Sequence, residues 1–369
     1  MFAAEAPRGT RRAGMRVLAL VCLAALAGCR EGAGAGAAGR AQSGAVKPAV
    51  AAPRRVELVW PTPNRAYAEG RDIVAFIQPT ASGVPTSGLF GSVRSGGRQF
   101  HEGLDLLPVE RDRAGEPLDP VFAAMAGVVR HIYRKPGGSN YGRYIVLEHP
   151  AESPPVYTLY AHLAEVAPGL VPGTVVAAGQ TIARMGHSAS GEGIPRDRAH
   201  LHFEIGVRLS DGFDGWYRGR GFGSPNEQGL FNGMNLLGVD PLEFFARARS
   251  GGLASLDSVF QTSPTAVRVR VAVPEVPDFL RRYPSLKEAA VAGAAGGWEI
   301  DFSATAVPLR WRRPADERFT GWRRGEVRVV FHDEALLAAN RGRDLVDKRR
   351  GLAVPGEDLE TVLGLLFGR

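Results

Sequence analysis

"AHLHFEI" (199–205) sets two histidines one residue apart in an apolar run, and only eight histidines occur in the 369-residue chain. The run reads as a buried strand, in which residues two apart share a face. His200, His202 and Glu204 therefore share a face. Two imidazoles placed there for packing alone would be unusual, so the question is what else in the chain meets them.

The first candidate is "FHEGLDLL" (100–107). The same parity sets His101, Gly103 and Asp105 on one face and Glu102 and Leu104 on the other. If the two strands lie near each other, four polar groups converge. This is not the helical HExxH zinc motif, because the second His is missing and Gly103 disfavours a helix. Two neutral imidazoles and one carboxylate suit a tetrahedral zinc ion with one position left for water, as in catalytic sites. Bound zinc lowers the pKa of its water to ~7 and polarises a carbonyl. The remaining His of the group, and His162 in "YTLYAHL" (157–163), are then available for proton transfer, for which an imidazole pKa of ~6.5 is well matched.

Working outward, the surrounding sequence is β in character. "GVVRHIYR" (127–134), "RYIVLEHP" (143–150), "PVYTLYAHL" (155–163) and "AHLHFEIGVRL" (199–209) are short β-branched or aromatic runs broken by Gly and Pro. They predict a mainly β, antiparallel architecture over 56–248, with "KPGGSNYG" (135–142) as a hairpin turn and "VDPLEFFARA" (239–248) as a closing helix. A second β-rich module is expected over 254–369, from "AVRVRVAV" (266–273), "WEIDFSATAV" (298–307) and "GEVRVVF" (325–331), ending in the helix "GEDLETVLGLLFG" (356–368). That module carries no recognisable chemistry.

The N-terminus supplies a compartment. Arg11, Arg12 and Arg16 precede a short apolar run (17–27) that ends in Leu26-Ala27-Gly28-Cys29. This predicts an export signal over 1–28, too short to span a membrane, which needs ~20 apolar residues. "LAGC" resembles the bacterial lipobox, which implies cleavage before Cys29 and its acylation; an ordinary secretory signal with a chance Cys is the alternative. Arg30 rather than Asp after the Cys implies the outer membrane, facing the periplasm. The Gly/Ala-rich stretch 29–55 reads as a tether. The other cysteine, Cys22, lies inside the signal, so no internal disulfide is expected in the mature chain. The net charge of +7 is scattered Arg, and no basic block with interleaved aromatics argues for nucleic acid.

Together, "HEGLD", "YAHL" and "HLHFE", in that order, resemble the lysostaphin-type (LytM-type) zinc metalloendopeptidases that cut peptide cross-bridges in bacterial peptidoglycan. The resemblance runs over about 90–245 and includes the lipoyl-like run "VPGTVVAAGQTIARMGHSASG" (171–191). It implies an antiparallel sandwich or barrel-like peptidase domain with zinc ligands His101, Asp105 and His202. His162 and His200 are then the non-ligand pair that orients water, takes its proton or stabilises the oxyanion; which does which stays open. It also implies peptidoglycan peptides as partners, with the lipid anchor holding the domain at the membrane.

Further residues are weaker candidates. Glu204 reads as a structural ion pair or as a group orienting a ligand His. Tyr160 faces the cleft by parity or packs, and Trp216 and Tyr217, in the Gly-rich segment 214–235, contact substrate or tuck over the sheet. Residues 56–89 could cover the site as a latency element. The rival function is a LytM-type domain that binds or activates a cell-wall amidase without hydrolysis. Such regulators have lost metal ligands, whereas all three positions are filled here. A zinc peptidase or amidase acting on another envelope peptide is a third reading.

Overall fold

Strand β11, Leu201–Arg208, is the axis of the molecule: all eight of its residues are buried. In the computed structural model, which describes residues 55–369 apart from 192, 252 and 290–292, it is built into a seven-stranded antiparallel sheet. The expected signal, Cys29 and the tether up to residue 54 lie outside the described residues.

The strands of the first part, in chain order, are β1 (Gly91–Arg94), β2 (Gln99–His101), β3 (Leu104–Leu106), β4 (Pro120–Phe122), β5 (Gly127–Tyr133) and β6 (Tyr144–Glu148). They are followed by β7 (Tyr157–Ala161), β8 (Glu165–Val166), β9 (Val175–Val176), β10 (Thr181–Arg184), β11 and β12 (Leu236–Val239). The large sheet runs β12-β11-β7-β6-β5-β9, with β3 also paired to β11. The lipoyl-like run supplies β9 and β10, and β10 lies between β4 and β8 in a small three-stranded sheet.

The period of two decides what each face of the large sheet carries. Leu201, Phe203, Ile205 and Val207 of β11 join Leu104, Leu106, Ile145, Leu147 and Tyr160 in the main apolar core. The opposite face carries Tyr144, Val146, Tyr157, Leu159 and Ala161. Because His202 pairs with Asp105 on β3 and with Ala161 on β7, the polar residues of β11 emerge on this second face. Gly103, between β2 and β3, permits the close approach: a Cβ there would lie 2.3 Å from the carbonyl oxygen of Phe203.

Residues 56–89 belong to this body. Gln78 N–H donates to Asp105 O and Leu107 N–H to Phe76 O, extending the pairing of β3, while Trp60 stacks on Tyr67 with centroids 4.6 Å apart.

The remainder of the chain adds helices α1 (Phe213–Gly219), α2 (Pro241–Arg249), α3 (Asp257–Thr262) and α4 (Asp278–Arg282) and a four-stranded antiparallel sheet. That sheet comprises β13 (Val267–Val271), β14 (Trp298–Phe302), β15 (Pro308–Arg312) and β16 (Val327–His332). Then come α5 (Glu334–Ala339), the hairpin β17 (Val346–Arg349) and β18 (Leu352–Pro355), and α6 (Glu357–Phe367). Val267, Val269 and Val271 face the core, while Arg268, Arg310 and Arg312 ring the buried Asp301 on the other face. The apolar side of α6, including Leu359, Val362 and Leu363, belongs to the same continuous core as the first sheet. The described residues accordingly form one unit. Among the described residues no helix is long and apolar enough to cross a membrane.

Candidate metal centre

Three side chains from two neighbouring segments meet at one point. His101 closes β2, Asp105 sits on β3 and His202 on β11. His101 Nε2 lies 3.0 Å from His202 Nδ1, and Asp105 Oδ1 lies 3.1 Å from both. These edges are a few tenths of an ångström shorter than the ~3.3 Å expected for a tetrahedral ion with ligands near 2.0 Å. All three residues are buried.

The outer hydrogen bonds fix which atoms face that point. His101 Nδ1 lies 2.7 Å from Leu89 O, an atom that can only accept, so the proton is on Nδ1 and Nε2 presents a lone pair. His202 Nε2 lies 2.9 Å from Glu204 Oε1, which leaves its Nδ1 as the inward donor. Two imidazole lone pairs and a carboxylate oxygen thus converge in a buried space. That arrangement is repulsive by itself and is relieved by a cation, which is the fit expected of a metal ligand set.

A proton is the cation at hand when no metal is bound. Burial opposes charge on His202, but Asp105 and Glu204 outweigh it and lift the ring to about 9. Asp105 is held well below the ordinary carboxylate range; burial works the other way and is overcome by His101 and His200.

Glu204 does more than form an ion pair. Its two oxygens accept from Tyr141 OH and Tyr157 OH, each at 2.7 Å, and Oε1 also accepts from His202. The buried carboxylate therefore fixes the His202 ring from behind. Arg94 does the same for Asp105: its Nη2 donates to Oδ2 across 2.5 Å and its Nε to Ser87 O across 3.0 Å.

The other two histidines border the same cleft. His162 Nδ1 donates to Ser188 O at 2.9 Å and His200 Nδ1 to Arg198 O at 2.8 Å, so each leaves Nε2 as an acceptor. The two rings meet edge to face with centroids 4.8 Å apart, and His200 Nε2 lies 3.3 Å from Asp105 Oδ1. Burial, then the neighbouring His200 and His202 rings, hold His162 well below its ordinary value, so it is neutral near pH 7. His162 has φ +62°, a left-handed conformation uncommon for a residue with a side chain and concentrated at functional sites.

Residues 99–212 match the model of Peptidase family M23. That segment is similar to the M23 peptidases. All five residues of the cleft fall inside the matched span, whereas Arg94 and the C-terminal region do not. A comparison with curated proteins gives no match. Among solved structures, a putative glycyl-glycine endopeptidase LytM from Ruminococcus gnavus is 29% identical over 31% of this chain and 43% of its own, with a TM-score of 0.25. A zinc-containing peptidase from Vibrio cholerae is 28% identical over 36% of this chain and 33% of its own (TM-score 0.25). The catalytic domain of lysostaphin from Staphylococcus simulans is 22% identical over 43% of this chain and 87% of its own (TM-score 0.24). The chain thus spans less than half the length of the first two.

Not every residue singled out from the sequence reaches this cleft. Tyr160 does not: it pairs in register with Phe203, points into the main core, and its hydroxyl accepts from Ala124 N–H. The parity that links it to His162 fails because β7 ends at Ala161 and the positive φ of His162 swings that side chain to the opposite face. Trp216 and Tyr217 do not line the cleft either. Helix α1 packs them against Phe213 and Phe222, with Arg220 over the Trp216 ring at 4.7 Å. Residues 56–89 contribute Pro79 and Thr80 to the cleft wall and Leu89 O to His101, and the rest packs into the body.

Arg94 and Tyr141 are the functional residues that strand parity misses. The turn "RSGGRQ" (94–99), with Gly96 and Gly97 at φ +67° and +85°, marks the β1–β2 hairpin that returns Arg94 to the site. The remaining four histidines lie elsewhere: His149 is buried between Ala126 O and the Thr158 hydroxyl, His131 stacks among aromatic rings, His187 pairs with Glu116, and His332 lies 3.8 Å from Glu334.

Proposed function

We propose that the protein is a zinc-dependent endopeptidase that hydrolyses peptide bonds in the stem peptides or cross-bridges of bacterial peptidoglycan. The observation that carries this reading is the convergence of His101 Nε2, Asp105 Oδ1 and His202 Nδ1 beside two further histidines, each anchored at Nδ1 to a backbone carbonyl. Two imidazoles and a carboxylate suit zinc. Zinc bound there supplies Lewis acidity toward a carbonyl and a water acidic enough to attack near neutral pH.

The chain's own residues do the rest. His162 and His200, each held by a backbone carbonyl at Nδ1, present Nε2 atoms that accept a proton and return it to the leaving amine. Glu204 and Arg94 hold His202 and Asp105 so that the donors are in place before substrate arrives. The fold buries all five side chains, and all five line the same cleft.

The "LAGC" stretch supports a lipid anchor at Cys29 and action in the envelope, facing the periplasm. A purely regulatory role as an amidase activator is disfavoured by the complete donor set. The test is mass spectrometry of muropeptides and assay of new amino groups after digestion by zinc-loaded wild type and by His101→Ala. Stoichiometric zinc with no bond cut would overturn the proposal.

A further inference from the structure

The M23 match ends at residue 212, yet the chain beyond it lines a cavity beside the cleft. A cavity of about 570 Å³ adjoins the metal site, and Glu102, Asn140 and Tyr141 line both spaces. Its size falls within the ~300–1,000 Å³ of ordinary ligand pockets. One wall is the loop carrying Gln228, Asn232 and Met234; the facing wall is Arg343, Asp344 and, on α6, Asp358 and Thr361.

That facing wall is tied to the segment holding the first metal ligand. Gly342 N–H donates to the Ser92 hydroxyl at 3.0 Å, and a Cβ on Gly342 would lie 2.9 Å from the Phe100 nitrogen. Arg343 stacks on the Phe100 ring at 4.3 Å and lies 3.4 Å from Glu102 and 3.5 Å from Asp358. The C-terminal region is thus keyed to β1 and β2 one residue away from His101. The lining has Glu102, Asp344, Glu357 and Asp358 against the single cation Arg343, which excludes a polyanionic occupant such as a phosphate polymer. On the opposite wall the amides of Gln228 and Asn232 bond to each other, to Gly138 O and to Asn226, which fixes a polar surface suited to peptide groups.

We propose that this cavity is a peptide subsite on one side of the scissile bond, its far wall supplied by the C-terminal region. It selects substrates long enough to reach it, favouring cross-linked or extended peptides over short ones. This rests on the peptidase reading above.

The test fills the cavity in the full chain with Thr361→Trp and, from the opposite wall, with the exposed Met234→Trp. Cleavage is measured on a cross-linked muropeptide dimer and on a truncated peptide keeping only two residues either side of the bond cut in the dimer. Binding of the dimer to chelated, non-hydrolysing protein is measured by calorimetry. The expected result is a fall of at least tenfold in the dimer-to-truncated ratio of kcat/KM and in dimer affinity, with zinc stoichiometry and circular dichroism unchanged. Folded variants that keep the wild-type ratio and affinity overturn the subsite. Wild type that cuts neither peptide but binds the dimer, with binding lost in the variants, refutes hydrolysis and upholds the subsite. Wild type that does not bind the dimer refutes the subsite.

Discussion

Replacing Arg94 by Ala should weaken zinc binding by roughly 10- to 70-fold although no metal ligand is touched. The guanidinium donates to Asp105 Oδ2 at 2.5 Å while the other oxygen, Oδ1, faces the imidazole donors, so Arg94 decides which oxygen is offered and at what angle. A hydrogen bond to a charged group contributes about 1.5–3 kcal/mol, and cutting one side of a fully buried pair costs about 3–5 kcal/mol. Arg94 retains 24% of its exposure and Asp105 only 4%, so water replaces part of what is lost and the lower range applies. About 1.5–2.5 kcal/mol converts to the fold-change above, within the 10- to 100-fold typical of groups that orient a ligand from behind. The assay is competition with a chromogenic chelator at fixed pH and salt. The cobalt(II)-loaded protein serves as a second readout, because a carboxylate free to bind through both oxygens raises the coordination number and dims the visible bands. Arg94→Lys should recover part of the affinity, having one donor to offer where the guanidinium has a planar fork. Folded Arg94→Ala with zinc affinity within twofold of wild type would refute the reasoning.

His162→Ala and His200→Ala should each keep one zinc per chain and lower the cleavage rate by about 10²- to 10⁴-fold; loss of zinc from either variant would make that residue a ligand instead. Glu204→Gln offers one acceptor oxygen where three donors now converge, so it should lower zinc affinity and cost about 1–3 kcal/mol in urea unfolding. Unchanged values for both would show that the carboxylate merely fills space. His202 in the metal-free protein is raised to about 9, above its unfolded value, so its contribution is complete below ~6.5 and is lost as pH rises through about 9. The urea midpoint of chelated protein should therefore drop between pH 7 and 10 more steeply than that of zinc-loaded protein; parallel profiles would contradict this.

Strand parity grouped the polar side chains because β11 and β3 obey it: His202 and Asp105 are direct register partners, and their apolar neighbours fall on the core face, whereas the choice of His202 over His200 as a ligand came only from the family resemblance. It failed where the chain leaves the strand. His162 lies one residue beyond β7 with φ +62°, and nothing in "YTLYAHL" signals that a non-glycine residue takes this conformation. The β7 register sends Tyr160 to the core with Phe203, and the positive φ of His162 brings that side chain to the cleft. Arg94 was hidden for a different reason. Its partner lies eleven residues away across a hairpin, and charge pairing over that span depends on a turn whose geometry strand parity does not encode.

The C-terminal region shows how a segment without recognisable chemistry can still shape a site. Its motifs describe only its own core: alternating Val and Arg on β13, and the apolar stripe of α6. What brings it to the cleft is the continuity of that core with the first sheet and a close backbone approach at Gly342, both non-local. The aromatic pair Trp216 and Tyr217 makes the complementary case. Their residue types suit a substrate groove, yet α1 turns them against Phe213 and Phe222, and the amide-bearing loop at Gln228 and Asn232 borders the cavity instead. Residue type thus located the chemistry where donors must converge within about 3 Å, because few side chains can serve as metal ligands. It did not locate the groove, because peptide groups can be met by almost any polar or apolar surface and the choice is made by tertiary packing.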